Sequence, residues 1–167
     1  VMSLDLLGEG FDLHCGGQDL RFPHHENERA QAVALGKTFA NHWMHHAFVV
    51  DAEGEKMSKS IGNVSNLLDL IEHYDQRAYR LVLLQSHYRS PVKLGQAMID
   101  AAVRALAGLD GFAARTAEMS GESDVATIDA FRAAMDDDLD TPKATALVFD
   151  AVRKVNVGID AGEDVSG

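Results

Sequence analysis

The chain has 167 residues, with 15 Lys+Arg against 26 Asp+Glu, a formal net charge of −11, and 46% hydrophobic residues. That composition fits a folded chain of one domain, or one domain and a small second one, and excludes a chain disordered throughout. The acidic balance argues against a protein that holds nucleic acid by bulk charge, and leaves room for a local basic patch. No apolar run approaches the roughly 20 residues that span a bilayer. The start, Val1 to Asp5, carries no signal-peptide pattern, and the single Cys15 excludes an internal disulfide and fits a reducing compartment.

The charge is uneven. Residues 1–109 carry a net of −3 and residues 110–167 a net of −8. The texture changes at the same place, so two modules are expected.

Phe11-Asp12-Leu13-His14-Cys15 alternates apolar and polar and runs into Gly16-Gly17, the pattern of a short strand ending in a tight turn. Pro23 then stands where a first helical turn favours it, with Glu26 and Glu28 near the positive end of the helix dipole. That helix is expected to run through Ala30, Ala32, Val33 and Ala34 and to stop at Gly36. A strand, a Gly-Gly turn and a helix make half of a nucleotide-binding α/β layer, although Gly-Gly alone is a weak signal.

His42 to Val50 reads as a second strand and Asp51-Ala52-Glu53-Gly54 as a turn. Lys56-Met57-Ser58-Lys59-Ser60-Ile61-Gly62-Asn63 reads as a loop, and Ser65 as the cap of a helix through Leu67, Leu68, Leu70 and Ile71. Further helices are predicted over about 76–86, 94–118, 127–135 and 142–157, with Ser90-Pro91 as a break. Thr141 reads as the cap of the last helix, with Pro142 at its first position. The first half is therefore α/β and the second half helical.

Four groups of residues could carry chemistry. His24 and Glu28, four apart on a helix, share one face, and imidazole nitrogen and carboxylate oxygen are both zinc ligands. A solvated His–Glu pair on an exposed helix face accounts for the same spacing. Lys56 and Lys59, on a Gly-flanked loop rich in serine, suit a polyphosphate, because ammonium groups act as mobile point charges for phosphate oxygens. A polar surface loop explains the composition equally well. His42, His45 and His46 surround Trp43; on a strand His42 and His46 take one face and His45 the other. Asp136-Asp137-Asp138 lacks the alternation and terminal Glu of a calcium loop and reads as helix-capping charge.

Taken together, the strings Phe11-Asp12-Leu13-His14, Gly16-Gly17-Gln18-Asp19-Leu20-Arg21-Phe22-Pro23-His24-His25-Glu26-Asn27-Glu28, Trp43-Met44-His45, Lys56 to Asn63 and Met135 to Pro142 resemble the cysteinyl-tRNA synthetase family in order and spacing. The lysine loop occurs across class I aminoacyl-tRNA synthetases, and the Phe-Pro-His-His-Glu-Asn-Glu string is much narrower. The resemblance implies the second half of a Rossmann-type class I catalytic domain followed by an α-helical region. It divides the chain into the C-terminal part of the catalytic domain (1–64), a helical stem-contact region (65–118) and the start of a further helical domain (119–167).

It also implies a cytoplasmic ligase, not bound to a membrane, that joins cysteine to ATP with magnesium and passes the cysteinyl group to tRNA(Cys). His24 and Glu28 match two of four ligands to a zinc ion that binds the substrate thiolate. The other two are cysteines expected upstream of Val1, together with the family's His-Ile-Gly-His signature, so the piece is expected to be inactive alone. Cys15 is not assigned to zinc. Lys59 matches a lysine that contacts ATP phosphates, Lys56 assists it, and Gly17 and Asp19 match a segment beside the adenosine. Trp43 and His45 either line the adenine pocket or pack. Two rivals share features of the pattern: a cysteine ligase of actinobacterial thiol biosynthesis, which makes an amide with an amino sugar, and a non-catalytic synthetase-like binding module.

Overall fold

The computed structural model describes residues 2–51, 54 and 72–163. The Lys56–Asn63 string, Ser65 and the helix expected through Ile71 lie outside the described residues. The chain forms two compact units, one of residues 1–49 and 88–92 and one of residues 50–87 and 93–167.

The first unit opens with α1 (Met2–Leu7), which has no counterpart in the sequence reading, followed by β1 (Phe11–Gly17). A 3-10 turn (Gln18–Leu20) and a π turn (Arg21–His25) lead into α2 (Glu26–Ala34), and β2 (Ala40–His46) returns parallel to β1. The regular helix thus starts three residues later than Pro23 foretold. Phe22 is extended (φ −140°, ψ 133°), the conformation that a residue before proline prefers, and it interrupts helical geometry there. The stop at Gly36 is as expected: its φ is +70°, and the Lys37 N–H donates to Ala32 O at 2.9 Å.

Leu13 pairs with His42, His14 with Trp43, Gly16 with His45 and Gly17 with His46. Alternation therefore sets His14, Gly16, Trp43 and His45 on one face of the sheet and leaves His42 and His46 on the other, the split expected for the histidine cluster. Leu4, Ala32 and Phe39 are buried at the centre, with Phe11, Ala40 and Trp43 packed around them.

The single strand predicted over 42–50 is instead β2 and a short β3 (Val49–Val50). The cause is a change of partner. At Ala47 the backbone stops pairing with β1, and its N–H donates to Tyr88 O at 2.8 Å; Val92 N–H in turn donates to Phe48 O at 2.9 Å. The matching strand, β4 (Val92–Lys93), is two residues long and leaves no periodicity to read.

The second unit holds α3 (Gln76–Leu84), α4 (Gln96–Arg115), α5 (Val125–Asp136) and α6 (Thr141–Ala161). Here α3 packs on α4 and α5 on α6. The buried positions are mostly small or β-branched: Ala78 and Val82 on α3, Ile99 and Ala102 on α4, Ala134 on α5, Ala144 on α6. Such residues let helix axes approach closely. Aspartates cap three of these four helices, with Asp75, Asp124 and Asp140 accepting from the N–H groups of Arg77, Thr127 and Lys143 among the described residues.

Two expectations at the α5–α6 junction are corrected. Asp140 is the cap of α6, its carboxylate 3.0 Å from Lys143 N, while Thr141 already belongs to the helix. Asp136 to Asp138 close α5 rather than cap a following helix. Asp138 and Leu139 both have left-handed φ (54° and 56°), and the Asp138 carboxylate is 3.9 Å from His87 Nε2.

Candidate metal and nucleotide site

The three segments at the head of the first unit converge on one carboxylate. β1 presents His14, the π turn presents His24 and His25, and the first turn of α2 presents Glu28. Glu28 Oε2 is 2.9 Å from His14 Nε2, and Glu28 Oε1 is 3.8 Å from His24 Nε2. His14, His25 and Glu28 each offer a donor atom, all within 4.8 Å of one another.

The separations sort these groups by role. Two donors each about 2.0–2.2 Å from a tetrahedral ion stand about 3.4 Å apart. His24 and Glu28 are near that spacing, and His24 is exposed, so a small adjustment seats both on one ion. The His14 contact is shorter and has hydrogen-bond geometry. His14 thus holds the far oxygen of Glu28 and leaves the near one facing His24. His25 is committed elsewhere: its Nδ1 is 2.8 Å from His45 Nε2.

His25 is the single buried polar residue among the described residues, at 4% exposure. Burial holds its pKa below the ordinary 6.5, and the neighbouring His14 adds to the effect while Glu28 opposes it. The ring lies against Gly16. A Cβ on Gly16 would come within 2.5 Å of His25 Cε1 and 3.1 Å of Leu20 Cδ1, so the strand can pass this close only without a side chain.

Gly17 and Asp19 sit together at the C-terminal end of β1, where a Cβ on Gly17 would be 2.6 Å from Asp19 Oδ1. This is the edge at which open α/β sheets receive ligands. Trp43 packs edge-on against His14 at a ring distance of 5.0 Å and stacks on Phe39 at 5.6 Å, and it also stacks parallel to His45 at 6.4 Å. The structure therefore brings His24 and Glu28 together and sets Gly17 beside Asp19, whereas Lys56 and Lys59 lie outside the described residues. The sequence reading assigned no role to His14 or to the His25–His45 pair. Strand alternation orders the faces within each strand, but only the β1–β2 register puts His14 on the side of Trp43, so the sequence alone carried no signal for it.

Comparison with known proteins places this chain in a family. Residues 1–104 match the model described as "tRNA synthetases class I (C) catalytic domain", and residues 130–166 match the DALR domain. The chain is 43% identical to a protein named cysteine–tRNA ligase of Cutibacterium acnes, over 98% of the chain and 35% of that protein. It is 45% identical to one from Aromatoleum aromaticum (93% and 34%) and 44% identical to one from Geobacter sulfurreducens (98% and 37%). The chain spans about a third of the length of these relatives. Among solved structures it resembles LeuRS in a ternary complex with tRNA and LeuAMS from Agrobacterium radiobacter K84, with a TM-score of 0.75, 16% identity, and coverage of 88% of this chain and 23% of that one. The last likeness shows the fold, an α/β layer followed by helices. By its sequence match over residues 1–104, the chain belongs to the class I (C) tRNA synthetase catalytic-domain family.

Proposed function

We propose that the chain is part of an enzyme that activates cysteine with ATP and transfers it to tRNA(Cys) in the cytoplasm. The observation that carries the reading is the His24–Glu28 donor pair, 3.8 Å apart and braced by His14, inside a chain whose relatives are named cysteine–tRNA ligase. The DALR match at residues 130–166 supports a synthetase over a ligase without tRNA. In this reading residues 1–64 are catalytic, 65–118 contact the tRNA stem, and 119–167 begin a further helical domain.

His24 and Glu28 would hold a zinc ion together with two cysteines supplied from outside this chain. When bound, zinc accepts a soft thiolate and refuses the harder serine hydroxyl, so cysteine is selected without an editing site. A cysteine carboxylate oxygen then attacks the α-phosphorus of ATP, the bond to the β-phosphate oxygen breaks, and pyrophosphate leaves. Lys59, assisted by Lys56, stabilises the charge that grows on the leaving pyrophosphate alongside magnesium. Gly17 lets the adenosine approach the backbone, and Asp19 faces it. A hydroxyl of the tRNA terminal ribose next attacks the carbonyl carbon, loses its proton and expels AMP.

The test is pyrophosphate exchange by the full-length protein. Exchange should require cysteine, and charging should require tRNA(Cys). Exchange with no tRNA charging, together with amide formation on an amino sugar, would overturn the reading. So would an absence of exchange with any amino acid.

A further inference from the structure

Val50 and Tyr74 stand on either side of the stretch that carries Lys56 and Lys59, and both are tied to one place in the second unit. The Leu94 N–H donates to Val50 O at 2.8 Å, and two residues further on Gln96 Nε2 donates to the Tyr74 hydroxyl oxygen. A stretch as long as residues 51–73 can extend to roughly 75 Å at about 3.3 Å per residue. Its two flanks instead meet residues two apart in sequence, between β4 and the first turn of α4. The two ties differ in kind. The first is a backbone bond between buried residues, Val50 and Leu94. The second is made by side chains nearer the surface, so it depends on Gln96 being held. Gln96 Nε2 also donates to Asp100 Oδ1 at 2.8 Å, one turn along α4, an i,i+4 pairing that stabilises a helix. Just past Tyr74, Arg77 fastens the start of α3 to the middle of α4. One edge of its guanidinium meets Asp75, with Nη2 2.8 Å from Oδ2, and the other takes both oxygens of Asp110 at 2.9 and 3.0 Å.

We propose that Gln96 and Tyr74 are positioning residues for Lys59, their hydrogen bond fixing the downstream end of the lysine-bearing stretch beside its upstream end. This rests on the function proposed above, in which Lys59 acts on the charge that grows on pyrophosphate. A charged donor stabilises a transition state fully only where its place is set beforehand, because moving it during the reaction consumes the gain. A lysine ammonium rides on a flexible four-carbon stem and does not fix itself, so the backbone that carries it must be held. The Leu94–Val50 bond holds one end only. The Gln96–Tyr74 bond brings the other end to the same place, and the Arg77 fork keeps the chain beyond it from pulling away. Gln96 and Tyr74 thus act through Lys59 and touch no substrate themselves.

The experiment measures cysteine-dependent pyrophosphate exchange by the full-length protein. Tyr74→Phe removes the accepting oxygen, and Gln96→Ala removes the donor. Gln96 is exposed and phenylalanine keeps the ring at position 74, so both variants keep the fold. Each should lower the maximal rate by about two- to tenfold, the range of one net hydrogen bond, and leave the Michaelis constants for cysteine and ATP nearly unchanged. Gln96→Lys, whose ammonium can donate both to the Tyr74 oxygen and to Asp100, should recover the rate. In Lys59→Ala protein, Tyr74→Phe should have no further effect, because the residue it positions is gone. An unchanged rate in the single variants, a loss confined to the Michaelis constants, or an undiminished effect of Tyr74→Phe in Lys59→Ala protein overturns the proposal. Absence of exchange in the unaltered protein is a different failure: it overturns the function proposed above, and the positioning role with it.

Discussion

His14 Nε2 is 2.9 Å from Glu28 Oε2, and the other oxygen of the same carboxylate is 3.8 Å from His24 Nε2. One carboxylate is thus divided between a hydrogen bond on its inner side and a ligand position on its outer side. The arrangement fixes the carboxylate plane before any ion arrives, and outer partners of this type typically change metal affinity by about 10–100-fold. His14→Ala in the full-length enzyme should weaken zinc binding by that factor, measured by competition with a chromogenic chelator. His14→Gln, which can still donate to Oε2, should recover part of the loss. Equal affinities in all three proteins would mean that His14 only packs.

The close approach of Gly16 to His25 leads to a stability prediction. The His25 ring is buried and its Nδ1 is bonded to His45, so it cannot swing away from an added methyl group. Gly16→Ala would set a Cβ 2.5 Å from Cε1, and either β1 or the π turn must move. Overpacking of this kind costs about 1–3 kcal/mol. Urea unfolding should show a lower midpoint for Gly16→Ala, whereas Gly108→Ala, with open space around the position, should not be destabilised.

Asp124 supplies a pH dependence. Hydrogen bonds from the Thr127 hydroxyl (2.7 Å) and backbone N–H (3.1 Å) hold its carboxyl below the ordinary 3.8. The folded state therefore releases this proton more readily than the unfolded state. The stabilisation is fully present above pH about 3.8 and disappears as pH falls through the lower folded value. Asp124→Asn keeps an acceptor at the cap and removes the titration. At pH 7 the variant should melt near the parent, and between pH 4 and 2 its melting temperature should fall less steeply. Parallel curves would show that the cap does not contribute to acid sensitivity.

The sequence made parts of this molecule legible for identifiable reasons. The stop of α2 could be read because Gly36 is the residue that tolerates a φ of +70°. The faces of His42, His45 and His46 followed from strand alternation alone. The break between β2 and β3 could not be read, because it depends on Tyr88, which lies 41 residues after Ala47 along the chain. The cap of α6 was misplaced by one residue, since Asp140 and Thr141 are both good caps and only the backbone decides between them. In the site, the local pair His24–Glu28 showed itself through its spacing of four. The brace from His14 reaches Glu28 from a different element, β1, and no periodicity of either segment brings the two together.

The last prediction separates the two halves of the proposed chemistry. Lys59 acts on phosphate charge that increases on the way to the transition state, so its contribution is larger there than in the ground state. Lys59→Ala in the full-length enzyme should therefore slow adenylate formation, by roughly a hundredfold to a thousandfold for the loss of about 2.7–4 kcal/mol from one such donor. Cysteine binding should change little. His24→Ala removes one of the two donors that stand 3.8 Å apart, and it acts before chemistry begins. It should raise the cysteine dissociation constant and narrow the preference over serine, with a smaller effect on the rate at saturation. Rapid-quench measurement of adenylate at saturating ATP and varied cysteine distinguishes the cases. A Lys59→Ala enzyme with a normal adenylation rate and a raised cysteine constant would mean that the lysine loop serves amino-acid binding and that the roles assigned to the two segments are reversed.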